Sequence, residues 1–208
     1  MAPKPVSLTL DRVARALRSP ERWTYEGDVR WRAAVAVILR ERDGALEVLV
    51  IRRAERAGDR WSGHAALPGG KVSESDTSID DTALRETLEE VGLDLRAIGA
   101  RRLGQLDDHP SLKQRSWARF TVVPVVYAIE GDPPLTLDAR EVAEAMWVPL
   151  DEVRRTQGSM LWWFRPVKAI PVKLPMRLPR WQWRGLTIWG LTYGMLRELM
   201  DRAESAEP

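Results

Sequence analysis

The sequence predicts an α+β fold, a single domain of 208 residues in which a sheet and helices form layers. Two apolar, β-branched runs at 33–39 and 46–51 flank an Asp-Gly turn signal, which is typical of a hairpin. Residues 78–92 and 188–203 repeat apolar side chains every three or four positions, which is typical of helices. Because strands and helices do not alternate regularly, the pattern favours an α+β arrangement over a parallel α/β fold.

The remaining elements follow the same two periodicities. An amphipathic helix is predicted over residues 8–18, and further strands are predicted over 97–106 and 119–129. Residues 141–148 are predicted to form a strand that leads into a short helix beginning near Leu150. The sequence contains no internal repeat that would divide the chain into similar units.

The composition excludes several classes of site. The chain has no Cys, so disulfides, thiol nucleophiles and Cys-ligated metals are excluded. Its 32 Lys and Arg residues nearly balance its 30 Asp and Glu residues, so the overall charge does not indicate a nucleic-acid partner. No stretch is long and apolar enough to span a bilayer, and the N-terminal residues lack a secretory signal pattern. We therefore expect a cytoplasmic protein without a membrane span.

A glycine-rich loop followed by an acidic helix occupies residues 67–93. Ser78, three residues before Asp81, resembles a capping box and predicts the start of the helix, and Gly92 predicts its end. The apolar positions that repeat at helical spacing, and are therefore expected to form the buried face, are Leu84, Leu88 and Val91.

Three carboxylates share another face of this helix. Glu86, Glu89 and Glu90 stand at i, i+3 and i+4, where like charges repel. A divalent cation would remove this repulsion, and carboxylate oxygens suit Mg²⁺ or Mn²⁺ better than Zn²⁺. The alternative is an ordinary solvated acidic face, but the preceding Pro-Gly-Gly loop at 68–70 favours a metal site.

The spacing of these residues resembles the Nudix box, G-x5-E-x7-R-E-U-x-E-E-x-G-U, where U is aliphatic. The matching positions are Gly70, Arg85-Glu86, Glu89-Glu90 and Gly92-Leu93. Asp76 stands where the usual box has Glu, eight residues separate it from Arg85, and Thr87 occupies the first aliphatic position. Similar departures occur in the branch that resembles coenzyme A pyrophosphatases.

A second pattern of that branch lies upstream and is close to L-L-T-x-R-(S/A)-x3-R-x3-G-x3-F-P-G-G. The positions that match it are Leu49-Val50, Arg53-Ala54, Gly63 and Pro68-Gly69-Gly70. Ile51 replaces the Thr and Leu67 replaces the Phe, while the second Arg is either shifted to Arg60 or replaced by Asp59.

The resemblance implies a Nudix-type α/β/α sandwich, with a mixed sheet between helices. It also implies that Glu86 and Glu90 bind the metal, with Glu89 joining directly or through water. The main-chain carbonyl of Gly70 is another implied ligand. Arg85 is expected to orient a carboxylate by a bidentate contact, and Glu86 is expected to help deprotonate the attacking water.

Cations crowd the entrance to the box. The substrate-binding candidates, whose cations or backbone could contact substrate phosphates, are Arg53, Arg60, Gly69 and Lys71. The alternative is a solvated loop that neutralises the acidic helix. Glu141 and Glu144 are either a further base near the metal or ordinary surface charge.

Residues 160–184 combine Trp, Pro, Arg and Lys and contain no acidic residue. One interpretation is a substrate-recognition hairpin in which a Trp stacks on adenine and cations meet the 3′-phosphate of coenzyme A. A second is a nucleic-acid or membrane-surface patch. A third is core packing or a homodimer contact, which we favour for Trp162 and Trp163.

The resemblance implies a metal-dependent enzyme that hydrolyses a pyrophosphate bond in a nucleoside diphosphate linked to another group. Coenzyme A or acyl-CoA is the first expected substrate, giving 3′,5′-ADP and 4′-phosphopantetheine. ADP-ribose or another dinucleotide is the alternative substrate. A hypothesis of another class is a non-catalytic binding or regulatory module on the same fold. The expected partner is a small nucleotide-type substrate, not a nucleic acid.

Overall fold

The computed structural model describes residues 7–18, 22–58, 61–111, 120–164 and 174–206. The helices are α1 (Leu10–Ala16), α2 (Ile79–Val91), α3 (Leu150–Val153) and α4 (Gly190–Ser205). The strands are β1 (Trp31–Arg42), β2 (Ala45–Arg53), β3 (Ala65–Ala66), β4 (Gly69–Lys71), β5 (Arg101–Gln105), β6 (His109–Pro110), β7 (Phe120–Ala128), β8 (Val142–Pro149), β9 (Gly158–Phe164), β10 (Leu174–Trp183) and β11 (Leu186–Trp189).

A mixed sheet forms the centre of the fold. Its main path runs β3-β2-β1-β7-β5, and β4, β6 and β8 pair with β1, β7 and β2 respectively. Strands β1 and β7 are parallel, whereas β1 with β2, β2 with β8 and β5 with β7 are antiparallel. Helices cover both faces of this sheet, so the predicted α+β sandwich is confirmed.

The alternation of β1 explains how the two faces are covered. Side chains of successive residues point to opposite faces of a strand. Ala34, Ala36 and Ile38 pack in one core together with Ala83 and Val91 of α2. The core on the other face is formed by Val37 and Leu39 with Leu196 and Leu199 of α4. Strand β1 is therefore buried on both sides and fixes α2 relative to the sheet.

The predicted hairpin is confirmed as β1 and β2. Its turn residues Asp43 and Gly44 have φ angles of 51° and 76°. Two successive positive φ angles match the right-handed twist of the flanking strands, and Asp-Gly adopts them with little strain. The strand predicted at 141–148 and the short helix after it are also confirmed, as β8 and α3.

Two predicted boundaries are wrong. The strand expected at 97–106 begins only at Arg101, because the Asp94 side chain accepts hydrogen bonds from the backbone N–H groups of Arg96 and Ala97 and closes a turn. The last helix begins at Gly190 rather than Ile188, because Ile188 pairs with Trp181 in an antiparallel strand. Among the described residues, no helix combines the length and the apolar character that crossing a membrane would require.

Strands β9, β10 and β11 form a separate three-stranded sheet in the order β11-β10-β9. Of the two roles favoured for Trp163, core packing is wrong, since 56% of its surface is exposed, while a homodimer contact stays a prediction. Trp162 is half-buried, and its ring lies 4.6 Å from that of Trp189. The ring buried in the core is that of Trp181, whose Nε1 donates to Gln157 Oε1 at 2.7 Å. The periodicity of a strand places neighbouring residues on opposite faces, so Trp162 and Trp163 cannot share one environment.

Candidate metal and active site

Helix α2 has the predicted ends. Ser78 has an extended backbone, and its Oγ accepts a hydrogen bond from the N–H of Asp81 at 3.1 Å. Gly92 closes the helix in the left-handed region, with φ 68°, and its N–H donates to the carbonyl of Leu88. A Cβ at Gly92 would lie 2.8 Å from Thr136, so glycine is also needed for close packing there.

The buried face of α2 differs from the predicted one. Leu88 is 47% exposed and Leu84 only partly buried, whereas Ala83, Thr87, Glu90 and Val91 are buried. The Thr87 hydroxyl donates to the carbonyl of Ala83 at 2.7 Å, which satisfies its polar group inside the core. The helix is therefore turned so that Glu90, a charged residue type, faces inward.

Arg85 joins the three acidic residues around it. Its Nε and Nη2 donate to the two carboxylate oxygens of Asp76, both at 2.9 Å, as a bidentate pair. Its Nη1 donates to Glu86 at 2.9 Å and to Glu89 at 3.0 Å. The hydrogen bonds from Arg85 hold the pKa of Asp76 well below its usual range, against the opposing effect of burial. Asp76 thus keeps its charge and fixes the guanidinium that orients Glu86.

Glu90 is 2% exposed, and its Oε2 accepts a hydrogen bond from the backbone N–H of Gly69 at 2.9 Å. Burial raises the pKa of Glu90 to about 8, although the Gly69 hydrogen bond opposes this effect. The negative charges of Glu86 and Glu141 raise it further, and the positive charge of Arg53 lowers it. A carboxylate held in this way is stabilised in its charged form when a cation binds beside it.

Glu86 lies directly over Gly70. A Cβ at Gly70 would be 2.4 Å from the carboxylate carbon of Glu86 and 2.5 Å from both of its oxygens. Burial raises the pKa of Glu86, while Arg85 lowers it, and Glu89 and Glu141 raise it by repulsion. The glycine therefore provides the space in which the carboxylate lies against the loop backbone.

The three glutamates of the helix do not occupy equivalent positions. The Glu89 side chain is 57% exposed and turns to Arg85, away from the buried Glu90. In the described parts of the chain, no three Asp, Glu or His side chains come together closely enough to hold a metal ion in this conformation. The negative charge of Glu141 nevertheless raises the pKa of both Glu86 and Glu90, so these three acids belong to one neighbourhood.

Glu141 is brought to this site by the segment before β8. The backbone N–H groups of Thr136 and Asp138 donate to the carbonyls of Val91 and Glu90, at 2.9 and 3.0 Å. The Glu141 carbonyl accepts from the N–H of Ala54 at 2.8 Å. The sequence alone did not distinguish Glu141 from Glu144 as a possible base near the metal. No local pattern indicates contact between either residue and the distant helix α2.

Glu144 does not share this position. Its side chain is 49% exposed and forms an ion pair with Arg52 at 3.1 Å. Glu141 instead pairs with Arg56 at 3.2 Å while its charge acts on both Glu86 and Glu90. Of the two acidic residues considered at the start of β8, only Glu141 therefore belongs to the candidate site.

The predicted phosphate-binding residues differ in their placement. Arg53 is half-buried at the end of β2, and its charge reaches Glu90. Lys71 is exposed, and its carbonyl accepts from Arg85 at 3.3 Å. The N–H of Gly69 is already used by Glu90, which leaves the loop conformation as its contribution. Arg60 lies outside the described residues.

The donor chemistry of the site suits a divalent cation, although in the described parts of the chain the side chains do not meet around one point in this conformation. Glu86, Glu90 and Glu141 offer hard oxygen donors, and burial raises the pKa of the first two. Any side chain at position 70 would overlap the Glu86 carboxylate. Glycine therefore lets this carboxylate lie against the loop backbone, where both could contact one ligand.

Comparison with known proteins supports the same interpretation. The family model described as NUDIX domain matches residues 30–167. The chain belongs to the Nudix family. The match begins just before β1 and includes the loop, α2 and β8, so every residue of the candidate site lies within the Nudix domain.

Curated relatives agree with this assignment. The Nudix hydrolase NudL of Cronobacter sakazakii is 32% identical over 170 residues, covering 77% of this chain and 82% of that protein. The mitochondrial coenzyme A diphosphatase NUDT8 of Homo sapiens is 34% identical over 61% of this chain and 52% of that protein. An uncharacterized protein of Schizosaccharomyces pombe is 44% identical over 51% of this chain, but the match spans only 32% of its length.

The Nudix protein is therefore a pyrophosphohydrolase, an enzyme of a family that generally requires divalent metal ions. Thr87, a departure from the aliphatic pattern of the box, is accommodated by its hydrogen bond to Ala83. Asp76, a second departure, retains a carboxylate that holds Arg85.

Proposed function

We propose that this Nudix enzyme hydrolyses coenzyme A or its thioesters in the presence of Mg²⁺ or Mn²⁺. Water attacks one phosphorus of the diphosphate, and the bridging P–O bond breaks. The products are two phosphate monoesters, 3′,5′-ADP and 4′-phosphopantetheine or its acyl derivative. The observation that carries the catalytic part of the proposal is the buried Glu90 next to Glu86 at the Gly69-Gly70 loop.

The substrate class rests on two separate supports. The residues upstream of α2, among them Arg53, Gly63 and Pro68, match the pattern of the coenzyme A pyrophosphatase branch. The human relative is named a coenzyme A diphosphatase and is 34% identical over 129 residues. Substrate recognition in this family lies outside the box, so the substrate assignment depends on these two supports and not on the carboxylates of α2.

We assign the metal-binding roles to Glu86, Glu90 and the carbonyl of Gly70, with Glu89 joining directly or through water. Such an ion, when bound, polarises a phosphoryl oxygen and lowers the pKa of coordinated water. Arg85 positions Glu86 through its guanidinium, which Asp76 holds by two parallel hydrogen bonds. The exposure of Glu89 makes it the least important of the three helix glutamates.

Proton removal from the attacking water requires a carboxylate close to the metal. Glu86 is our first assignment, as it is half-buried and its orientation is fixed by Arg85. Glu141 is the second, because its charge is felt by both Glu86 and Glu90. The cations Arg53, Arg60 and Lys71 are assigned to the substrate phosphates, and Gly69 shapes the loop that faces them.

Substrate identity is tested with a panel. The purified protein is incubated with Mg²⁺ or Mn²⁺ and with coenzyme A, acetyl-CoA, ADP-ribose or NADH, and the products are identified by mass. We expect 3′,5′-ADP and phosphopantetheine at the highest kcat/KM. Rapid cleavage of ADP-ribose without turnover of coenzyme A would replace the proposed substrate and leave the proposed metal chemistry standing.

The remaining hypothesis is a binding module that retains the fold without turnover. The intact carboxylates of α2 argue against this, because a module without catalysis has no need for a buried, costly Glu90. Absence of turnover for all four substrates with either metal would favour the module, and a metal titration by calorimetry would then show whether the site still binds an ion.

A further inference from the structure

Two Arg–Glu ion pairs connect β2 and the loop after it to the segment around the start of β8. Arg52 pairs with Glu144 at 3.1 Å, and Arg56 pairs with Glu141 at 3.2 Å. The Arg and Glu side chains are 30% and 49% exposed in the first pair and 44% each in the second. The two pairs are therefore alike in chemistry, length and solvent exposure, and they differ in what surrounds the acid.

The first pair lies on the side of the sheet that faces α4. Glu144 stands directly opposite Arg52, and directly opposed residues share a face. Because side chains alternate along β2, Arg52 lies on the same face as Val50, which packs in the core with α4. Glu141 instead precedes β8, and its negative charge raises the pKa of two acids of α2, Glu86 and Glu90.

The guanidinium of Arg56 contacts two successive residues before β8. Its Nε donates to the carbonyl of Arg140 at 2.7 Å, and its Nη2 donates to Oε1 of Glu141 at 3.2 Å. Since the donors of a guanidinium lie in one rigid plane, these two contacts fix the direction of the Glu141 carboxylate relative to its own backbone.

The loop that carries Arg56 is closed on itself. The N–H of Arg56 donates to the Ser62 hydroxyl at 2.9 Å, and this hydroxyl donates to the Arg56 carbonyl at 3.0 Å. Nearer to β2, the N–H of Arg53 donates to the carbonyl of His64, and the N–H of Gly63 donates to the carbonyl of Arg53. The guanidinium is thus held by a loop whose backbone is bonded at two levels.

The backbone of Glu141 is fixed, but packing does not fix its side chain. Its carbonyl accepts from the N–H of Ala54 at 2.8 Å, and its N–H donates to the carbonyl of Asp138 at 2.8 Å. A glutamate side chain has several rotatable bonds, and one that is 44% exposed keeps much of its rotamer freedom unless a partner selects one direction. Arg56 is such a partner.

We propose that Arg56 is a positioning residue that holds the Glu141 carboxylate toward Glu86 and Glu90, where Glu141 acts on the attacking water. This inference rests on the function proposed above, in which Glu141 is the second candidate for the base. Arg56 acts through Glu141 and does not contact the substrate. It differs in this respect from Arg53, Arg60 and Lys71, which are assigned to the substrate phosphates.

The test is steady-state kinetics with Mg²⁺ on whichever of the four panel substrates the unaltered chain cleaves fastest. Arg56→Gln is expected to lower kcat about tenfold and to change KM by less than about twofold, because a misplaced carboxylate slows the reaction without weakening substrate binding. Arg56→Lys retains the charge without the planar fork, and it should recover about half of the lost kcat on a logarithmic scale.

A double-mutant cycle distinguishes positioning from an independent role. Glu141→Gln is expected to lower kcat about a hundredfold, as for loss of a general base. Once Glu141 is neutral, Arg56 has no carboxylate to orient, so the double variant Arg56→Gln/Glu141→Gln should be no slower than Glu141→Gln alone. Independent roles would instead multiply the two losses.

Arg52→Gln is the matched control. It breaks the ion pair with Glu144 on the other face of the sheet, and its kcat and KM are expected to equal those of the unaltered chain. Urea unfolding of the metal-free protein should give the same small change for Arg52→Gln and Arg56→Gln, since both pairs are partly exposed. A difference in kcat between them then has no origin in folding.

Metal binding gives a readout that does not depend on turnover. Calorimetric titration with Mn²⁺ should give dissociation constants for Arg56→Gln and the unaltered chain that agree within about threefold, because the acids of α2 are unchanged. A loss of affinity of about tenfold or more would show that Arg56 acts on the metal site as a whole, which contradicts positioning through Glu141.

The other results that would overturn the proposal are kinetic. A raised KM with unchanged kcat in Arg56→Gln would assign Arg56 to a substrate phosphate. Equal kcat in Arg56→Gln and the unaltered chain, or multiplied losses in the double variant, would remove the positioning role while leaving the proposed hydrolysis intact. Absence of turnover in the unaltered chain on all four substrates would overturn the proposed function and this inference together.

Discussion

Charged side chains have different surroundings in the loop and helix at 67–93 and in the three-stranded sheet at 158–189. In the first region the charged groups of the candidate site have defined neighbours: Arg85 bridges Asp76, Glu86 and Glu89, and Glu90 accepts from Gly69. In the second region cations have no acid within the segment, and apolar side chains lie on the surface. The first region therefore pairs its charges around the candidate site, whereas the second exposes apolar side chains and cations on the surface.

The largest expected effect concerns the buried acid of the first region. Glu90→Gln should lower kcat/KM about a thousandfold, since a metal ligand is lost, which corresponds to about 4 kcal/mol of transition-state stabilisation. The melting temperature of the metal-free protein should not fall, because burial already raises the pKa of Glu90 to about 8 and a neutral amide avoids the cost of a buried charge.

Glu89→Gln is the matched control for this change. Glu89 lies in the same helix as Glu90, but its side chain is 57% exposed. We expect a loss of no more than about tenfold. Equal losses in the two variants would remove the distinction between an inward and an outward glutamate and would contradict the proposed roles. Steady-state kinetics and differential scanning calorimetry give the two quantities.

The second prediction compares two Trp residues of the β9–β11 sheet. Trp181→Ala should lower the free energy of unfolding by about 3 kcal/mol, because a buried ring and the hydrogen bond to Gln157 are lost. Trp163→Ala should change it by no more than about 0.5 kcal/mol, as expected for an exposed side chain. Urea unfolding measures both values. A cost for Trp163→Ala as large as that for Trp181→Ala would show that the Trp163 ring is packed against another part of the protein.

The third prediction compares Gly70 in the first region with Gly158 in the second. Gly70→Ala should lower kcat/KM about tenfold, because the new Cβ would displace the Glu86 carboxylate, which lies 2.4 Å away. The displaced group is the end of a flexible side chain, so the unfolding free energy should change little. Gly158→Ala in β9 is the control, since the nearest atom to its Cβ would be 3.8 Å away. Unchanged activity in Gly70→Ala would argue against a close approach of Glu86 to the loop.

The smallest effect comes from an ion-pair network outside both regions. Burial would raise the pKa of Glu198, but hydrogen bonds from His109 and the Asp107 backbone, together with Arg202, lower it below its ordinary value of 4.5. A lowered folded-state pKa stabilises the protein above the unfolded-state value, and the stabilisation is lost as the pH falls through the folded-state value.

Glu198→Gln should therefore reduce stability by about 1 kcal/mol at neutral pH, and the difference from the unaltered chain should shrink below about pH 4. Activity should be unchanged, because Glu198 lies in α4 and not beside α2. Urea unfolding at a series of pH values checks this, and a difference that grows toward acid would reverse the sign of the argument.

Local chemistry explains which parts of the fold could be predicted. The ends of α2 follow from Ser78 and Gly92, and the hairpin turn follows from Asp43-Gly44, because these residues act on their own backbone. The orientation of α2 could not be predicted in the same way. Its packing surface on β1 consists of Ala34, Ala36 and Ile38, and the residues of α2 buried in the same core are Ala83 and Val91, whereas Leu88 is exposed.

The candidate site was predictable where its residues share one helix. Glu86, Glu90 and Arg85 follow from spacing, but the bidentate contact with Asp76 and the approach of Glu141 depend on tertiary structure. A hairpin was only one of the interpretations offered for residues 160–184, and β11 was assigned to the last helix, because the Pro, Trp and cation content of this segment matches no simple periodic pattern. Contacts between residues that are distant in the chain are thus the ones that the sequence does not determine.

The hydrogen bonds from Thr136 and Asp138 to the end of α2 have a consequence for how related chains can vary. They tie the approach to Glu141 directly to the helix that carries Glu86 and Glu90. Residues in the loops that join β5, β6 and β7 between Gly92 and Thr136 can therefore be added or removed in evolution without changing the distance between these acids. Length variation among homologues should concentrate there, and the short stretch from Thr136 to Glu141 should keep a constant number of residues.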